Sequence, residues 1–237
     1  MRILVIIPTY NERGNLEHLV EEIFMQKVEG LSVMIVDDNS PDGTGILADN
    51  LAKIYPMKVF HRSEKEGLGV AYRDAISFVM SEPVSQRPSL IFEMDADFSH
   101  SPNDIPRLLA QITNADVVLG SRYIKGGGVE NWNFFRRVVS RLGNLYAQAV
   151  LGLPYSDLTG GYKLFRMEVL EQIDIPSLSS TGYNFQIETT YRAHKKGFRI
   201  KEVPIIFSER TIGKSKFNLV IIIESFLKVV ILRLHKL

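Results

Sequence analysis

The chain has 237 residues, 45% of them hydrophobic and 23% charged, enough for one sizeable core in an ordinary globular protein. A formal net charge of +1 excludes a general nucleic-acid binder, since no overall positive field would gather a phosphate backbone, and any basic function must be local. With no cysteine there are neither disulfides nor thiolate metal sites, and the five histidines, His18, His61, His100, His194 and His235, show no zinc-like pairing, which leaves carboxylates as the metal ligands to look for.

In chain order, Met1-Arg2-Ile3-Leu4-Val5-Ile6-Ile7-Pro8 is too short an apolar run for a signal peptide and reads as a first strand. Strand-like runs follow at 33–36, 58–61, 90–94 and 116–119. Between most of them the apolar residues take helical spacing: Leu16, Leu19, Val20, Ile23 and Phe24 in a first helix, Leu47, Leu51 and Ile54 in a second, Ile105, Leu108, Leu109 and Ile112 in a fourth. A third helix starts near Val70, and tight turning accounts for Gly67 and Gly69 before it; no G-x-x-x-x-G-K-[ST] loop is present. Alternating strands and helices predict an α/β fold with a mostly parallel central sheet, in a single domain spanning 1–237.

The polar clusters then fall at one edge of that sheet. Pro8-Thr9-Tyr10-Asn11-Glu12 follows the first strand, Asp37-Asp38-Asn39-Ser40-Pro41-Asp42-Gly43 the second, Asp95-Ala96-Asp97 the fourth and Gly120-Ser121-Arg122-Tyr123 the fifth. Open parallel sheets bind ligands beyond the carboxyl ends of their strands. Strand alternation would point Asp95 and Asp97 the same way, and two hard carboxylates suit Mg2+ or Mn2+ whose remaining positions go to water and diphosphate oxygens. Asp37 is expected to be a turn or helix cap.

These stretches, with Ser156-Asp157-Leu158-Thr159-Gly160 and Ser208-Glu209-Arg210 to Ser215-Lys216, resemble the family 2 glycosyltransferases of the nucleotide-diphospho-sugar transferase (GT-A-like, Rossmann-related) fold, and within them the dolichyl-phosphate (polyprenyl-phosphate) mannosyltransferase group. The resemblance implies that Pro8, Tyr10, Glu12, Val36 and Asp38 hold base and ribose, that Asp95, Ala96 and Asp97 hold the metal and diphosphate, and that Asp97, Arg122, Arg210 and Lys216 serve the chemistry. It implies inverting transfer of mannose from GDP-mannose to a polyprenyl phosphate; the same reaction with UDP-glucose or another nucleotide sugar, or a non-catalytic nucleotide-sugar-binding subunit, are the alternatives. An ionised lipid phosphate needs no protein base, so Glu188, near where relatives with hydroxyl acceptors place their acid, is expected to be a helix-surface residue and Asp157 a loop cap. Two departures from the group stand out: Asn39 where glycine is common, and Glu93 within a strand, where a charge requires a basic or hydrogen-bonding partner.

After Gly126-Gly127-Gly128, expected to be a flexible loop, an apolar stripe runs from Phe134 to Val150 with Arg136, Arg137 and Arg141 off it. Residues 208–216 read as a basic lid closing on the diphosphate, and 217–235 as a C-terminal apolar helix in which Glu224 and Lys228 can pair. No uncharged stretch reaches the roughly 18 to 20 residues of a spanning helix. The expected setting is the cytoplasmic face of a membrane, with peripheral attachment through the last helix and the arginine face, and either a small membrane subunit or a homo-oligomer as partner.

Overall fold

The computed structural model describes residues 1–178, 180, 182–209 and 219–234. Seven strands form one sheet in the order β3-β2-β1-β4-β7-β5-β8: β1 (Ile3–Thr9), β2 (Leu31–Asp37), β3 (Met57–His61), β4 (Leu90–Glu93), β5 (Val117–Ser121), β7 (Lys163–Arg166) and β8 (Ile200–Pro204). All neighbouring pairs are parallel except those of β7, which runs antiparallel to both β4 and β5. Helices cover both faces, so the inner strands are largely apolar, with Glu93 of β4 and Lys163 of β7 as buried exceptions. Ile3, Val5 and Ile7 of β1 point into one core with α1 (Arg13–Met25), α2 (Thr44–Leu51) and α4 (Ile105–Gln111), while Leu4 and Ile6 point into the other with α3 (Leu68–Ser81) and α7 (Tyr183–Lys195). Full burial of each such side chain is worth about 1.5–3 kcal/mol.

The predicted strands and helices are all present with shifted ends. Ile54 is the exception: α2 stops at Leu51, and Ile54 lies exposed beyond it. Gly67 adopts φ +105, as a turn requires, but Gly69 is there for close packing, since a Cβ on it would sit 2.8 Å from Phe185 Cβ of α7. The three glycines at 126–128 form no open loop. A Cβ on Gly127 would strike the Ser121 carbonyl oxygen at 2.5 Å, and β6 (Gly128–Val129) pairs in parallel with β9 (Ile206–Phe207).

The remaining helices are α5 (Phe134–Leu151), α6 (Met167–Gln172) and α8 (Leu219–Leu234). Val229 and Leu232 of α8 join Ala147 and Leu151 of α5 and Ile187 and Tyr191 of α7 in a third apolar cluster, and the Tyr146 hydroxyl donates to the Phe226 carbonyl at 3.0 Å. Core packing thus takes one side of the C-terminal helix. Leu227, Val230, Ile231 and Leu234 remain exposed, as do Phe134, Phe135, Val138, Leu142 and Leu145 of α5. The side chain of Glu224, and so its pairing with Lys228, lies outside the described residues.

Candidate active site at the carboxyl ends of the strands

Of the expected residues, Pro8, Tyr10, Glu12, Val36, Asp38, Asp95, Ala96, Asp97 and Arg122 lie at or just past the carboxyl ends of β1, β2, β4 and β5, at one sheet edge. The loop after β4 departs from the expectation. Strand pairing stops at Glu93, so Asp95 and Asp97 stand on a turn and strand alternation does not set their directions. The turn is tight: Phe98 has φ +60, and Asp97 Oδ1 accepts the Ser99 N–H at 3.1 Å. Asp97 and Ala96 are buried, whereas the Asp95 side chain is 23% exposed. Among the described residues no cluster of three carboxylate or imidazole ligands forms, so a cation held by Asp95 and Asp97 would complete its shell with water and ligand oxygens. That donor set, two hard carboxylates on one turn at the carboxyl edge of the sheet, fits Mg2+ or Mn2+.

Behind the turn, His100 is buried, with its Nδ1 accepting the Asp95 backbone N–H at 3.0 Å and its ring stacked on Tyr162 at 4.8 Å. Burial lowers the His100 pKa against the pull of Asp95 and Asp97, which favours the neutral ring that this hydrogen bond requires.

At the first two strand ends, Val36 is buried in the sheet and Pro8, Tyr10 and Glu12 line the rim, where Glu12 accepts from Asn15 Nδ2 at 2.8 Å. The Lys65 ammonium lies 3.3 Å over the Tyr10 ring. Asp37 is indeed structural, accepting from Thr9, from the Ser40 hydroxyl at 2.6 Å and from the Ser40 N–H at 3.1 Å. Asn39 has φ +56, the left-handed conformation that explains both the glycine common there and the tolerance for asparagine. Asp38 is buried and gripped by Arg62 at 2.5 Å; Arg62 also holds Glu66 at 2.6 Å and Asp74 at 3.1 Å. Burial raises the Asp38 pKa and Arg62 pulls it back.

Arg122 follows β5 directly and is fixed from several sides. Its Nε and Nη2 donate to the two oxygens of Asp157 at 2.6 and 2.7 Å, its N–H donates to the same carboxylate at 2.9 Å, and Nη2 also reaches Thr159 Oγ1 at 2.9 Å. Asp157 is therefore more than a loop cap. Burial raises its pKa, but the guanidinium and its hydrogen bonds outweigh that and hold it below the usual carboxylate range. Glu202 of β8 accepts the Ser156 and Asp157 N–H groups at 2.9 and 3.0 Å, steadying the loop that grips Arg122. The guanidinium faces an aromatic wall of Tyr123, Trp132 and Phe207, with ring centroids 5.2 to 5.7 Å away, and Arg136 lies 4.0 Å over the same Trp132. Two cations thus meet on one indole.

Arg210 and Lys216 lie outside the described residues, as does most of the expected lid. Its first residues are anchored here: the Ser208 N–H donates to the Ser99 carbonyl at 3.4 Å and Glu209 pairs with Arg136 at 2.9 Å. Glu188 is no surface acid. It is buried on α7, paired with Arg192 at 2.7 and 3.0 Å and accepting the Ser180 N–H at 3.2 Å. Sequence reasoning missed Arg62, Asp157, His100 and Glu202 as parts of the site; for Asp157 the signal was its place in Ser156-Asp157-Leu158-Thr159-Gly160, and for His100 its place three residues after Asp97.

A parallel half-sheet extended past an antiparallel strand, with paired carboxylates on the turn beyond β4, is the arrangement of the GT-A fold, and solved structures agree. The chain superposes on a mannosyltransferase from Pyrobaculum calidifontis in complex with GDP-Man and Mn2+ with a TM-score of 0.62 at 18% identity, over 90% of this chain and 58% of that one. It superposes on glucosyl-3-phosphoglycerate synthase from Mycobacterium tuberculosis, in complex with Mn2+, UDP and phosphoglyceric acid, with a TM-score of 0.69 at 17% identity, over 98% and 77% of the two chains. Residues 4–174 match the family model described as glycosyl transferase family 2, and the chain belongs to that family. It is 45% identical over 231 residues to polyprenol monophosphomannose synthase of Mycolicibacterium smegmatis, covering 96% of this chain and 85% of that one. It is also 42% identical over 219 residues to undecaprenyl-phosphate mannosyltransferase of Micrococcus luteus, covering 92% and 88%.

Proposed function

We propose that this glycosyltransferase moves mannose from GDP-mannose to a polyprenyl (dolichyl) phosphate, with inversion and with Mg2+ or Mn2+ held by Asp95 and Asp97. The names of the relatives at 45% and 42% identity support the sugar and the lipid class. The observation that carries the mechanism is the state of Glu188, the acid near where relatives with hydroxyl acceptors keep a base. Its carboxylate is committed to Arg192 and Ser180, which suits a nucleophile that arrives already ionised.

In this reading a phosphate oxygen of the lipid attacks the anomeric carbon as the bond from that carbon to the diphosphate oxygen breaks, and GDP leaves with the electron pair. Asp38, Glu12 and Tyr10 receive the nucleoside, with Arg62 holding the Asp38 carboxylate in place. Arg122, and Arg136 beside it on Trp132, supply positive charge for the phosphates in a partly buried setting where charge counts for more than in water. Arg210 and Lys216 close on the diphosphate from the lid. The divalent cation, when bound, neutralises charge developing on the departing diphosphate.

Among the described residues no helix is long and apolar enough to cross a membrane. Phe134 is 82% exposed, Leu142 57% and Ile231 52%, and Arg137 and Arg141 lie exposed on the same helix α5. Apolar side chains beside cations suit the headgroup layer of an anionic membrane, where the acceptor keeps its phosphate. The deciding experiment offers the purified protein GDP-mannose, UDP-glucose or UDP-N-acetylglucosamine with polyprenyl phosphate and either cation, and follows glycolipid. Mannolipid from GDP-mannose alone is expected; glucolipid from UDP-glucose would replace the donor, and no glycolipid from any donor would overturn the reading.

A further inference from the structure

Helix α5 has two unlike faces. Phe134, Phe135, Val138, Leu142 and Leu145 lie exposed on one, while the other carries Asn144, buried among Ala147, Leu151 and the loop at 157–160. Asparagine is a poor helix former, and an amide buried against apolar neighbours is costly unless its groups are bonded. Here they all are. Asn144 Oδ1 accepts the Leu158 N–H at 2.7 Å and the Thr159 N–H at 3.2 Å, while Nδ2 donates to the Ser140 carbonyl and to Thr159 Oγ1, both at 3.0 Å.

The Thr159 hydroxyl is shared: it also accepts from Arg122 Nη2 at 2.9 Å. One turn back on α5, Ser140 Oγ accepts from the hydroxyl of Tyr123, the neighbour of Arg122, at 2.6 Å. The inner face of α5 therefore grips both sides of the Arg122 turn, through 123 on one side and 158–159 on the other. An apolar residue at 144 would suit the packing but would leave the two loop N–H groups and the Thr159 hydroxyl without this partner.

We infer that Asn144 is a positioning residue for Arg122, tying the guanidinium to α5 through the Thr159 hydroxyl. The outer face of α5 is the surface proposed above to meet the lipid, so Asn144 stands on the same helix between that surface and Arg122; this placement of the lipid rests on the proposed function, whereas the link from Asn144 to Arg122 does not.

The test compares Asn144→Leu, similar in volume but unable to hydrogen-bond, with Asn144→Asp, which keeps an oxygen for both loop N–H groups and lets the Thr159 hydroxyl donate to it. The first readout is hydrogen exchange at the Arg122 Nε–H by NMR, with the Arg62 Nε–H, bonded to Asp74 at 3.1 Å, as an internal control. Asn144→Leu is expected to speed exchange at Arg122 on the order of tenfold and leave Arg62 unchanged, and Asn144→Asp to restore most of the protection. Exchange at Arg122 that is unchanged, or that rises together with Arg62, overturns the inference in favour of no role or of general loosening. Should Asn144→Leu not fold, Thr159→Val removes only the shared hydroxyl and is read in the same way.

The second readout is steady-state transfer to polyprenyl phosphate. KM is expected to rise about tenfold in Asn144→Leu, for the donor as well as the acceptor because Arg122 serves the phosphates, and kinetics equal to the parent's in a folded Asn144→Leu protein count against the inference. A parent protein that transfers nothing to polyprenyl phosphate defeats the proposed function while the exchange measurement still decides the role of Asn144.

Discussion

Glu93 and Lys163 stand directly opposite one another in the register of β4 and β7, and both are fully buried. The lysine ammonium donates to the Gln186 carbonyl and to Thr190 Oγ1, the latter at 2.8 Å. Glu93 feels the pull of the lysine charge, but among the described residues neither of its carboxylate oxygens accepts a hydrogen bond, so the partner its position demands is supplied only through space. Burial pushes Glu93 up to about 7 against the pull of Lys163, and pushes Lys163 down to about 8 against the pull of Glu93.

Those shifts fix a sign. Between 4.5, its ordinary value, and about 7, Glu93 keeps in the native state a proton that the unfolded chain has lost, so its contribution to stability falls as pH rises through that window. Between about 8 and 10.5, Lys163 has given up a proton that the unfolded chain still holds, so its contribution rises with pH. Lys163→Met should therefore cost about 3 kcal/mol near pH 8, where the lone Glu93 must either stay charged or take up a proton against the pH, and much less at pH 5, where Glu93 is already neutral. Urea unfolding at the two pH values measures this; an equal cost at both would show that Glu93 does not titrate in the pair.

Asp97→Asn, and Asp95→Asn after it, should remove turnover while leaving the fold, since the amide oxygen can still accept the Ser99 N–H. Two unit charges 4 Å apart interact by about 4 kcal/mol at an effective dielectric near 20, which is roughly three orders of magnitude in rate. Calorimetric titration of GDP with and without Mn2+ should show that the metal strengthens binding to the parent and not to Asp97→Asn. Full activity of the parent in chelator would sink the metal role.

Removing the Arg62 side chain leaves Asp38 buried without its closest cation. Arg62→Met is expected to lose about 3 kcal/mol of stability and at least tenfold in GDP affinity, read by thermal unfolding and by fluorescence competition. Unchanged nucleotide affinity in a folded Arg62→Met protein would take Asp38 out of base recognition.

Glu188→Gln separates the acceptor classes. Ser180 and Arg192 use different oxygens of the carboxylate, so the amide keeps an acceptor for only one of them; stability should fall by about 1–3 kcal/mol, while turnover on polyprenyl phosphate should stay within about threefold. A loss of a hundredfold or more in kcat with donor and acceptor affinities intact would restore a protein base.

Leu142→Glu and Ile231→Glu place charge on exposed apolar positions of α5 and α8, where the fold should not notice it. Flotation with anionic vesicles should then lose the protein, and transfer to vesicle-embedded acceptor should fall while transfer to a short detergent-soluble acceptor holds. Variants that float like the parent and use embedded acceptor equally fast would remove these faces from membrane contact.

Much of the fold was legible because β1, β2, β4 and β5 are apolar runs bounded by turn residues, a pattern that buried parallel strands impose. Strands β7 and β8 were not. Lys163-Leu164-Phe165-Arg166 has charges at both ends, and Ile200-Lys201-Glu202-Val203-Pro204 is an edge strand with a polar middle, so neither shows the apolar run that marks the others. The sheet edge that collects Asp38, Asp95, Asp97 and Arg122 could be read from motif placement. The contacts that hold them could not: Arg62 lies 24 positions from Asp38 and Asp157 lies 35 from Arg122, and no local periodicity links residues so far apart.

The position of β7 bears on how the molecule is made. It pairs on both sides inside the sheet, yet it comes after β5 in the chain, so β4 and β5 each present an open edge until β7 arrives between them. Synthesis from the amino terminus can assemble β1 to β4 with their helices first, but Glu93 then waits at a raw strand edge for a lysine the ribosome has yet to deliver. The closing insertion joins strands distant in sequence, the kind of pairing that is slow to form because the intervening loop must close first. It also completes the site last, because Tyr162, which stacks on His100 and bonds the Ser101 carbonyl behind the turn of Asp95 and Asp97, enters with this strand.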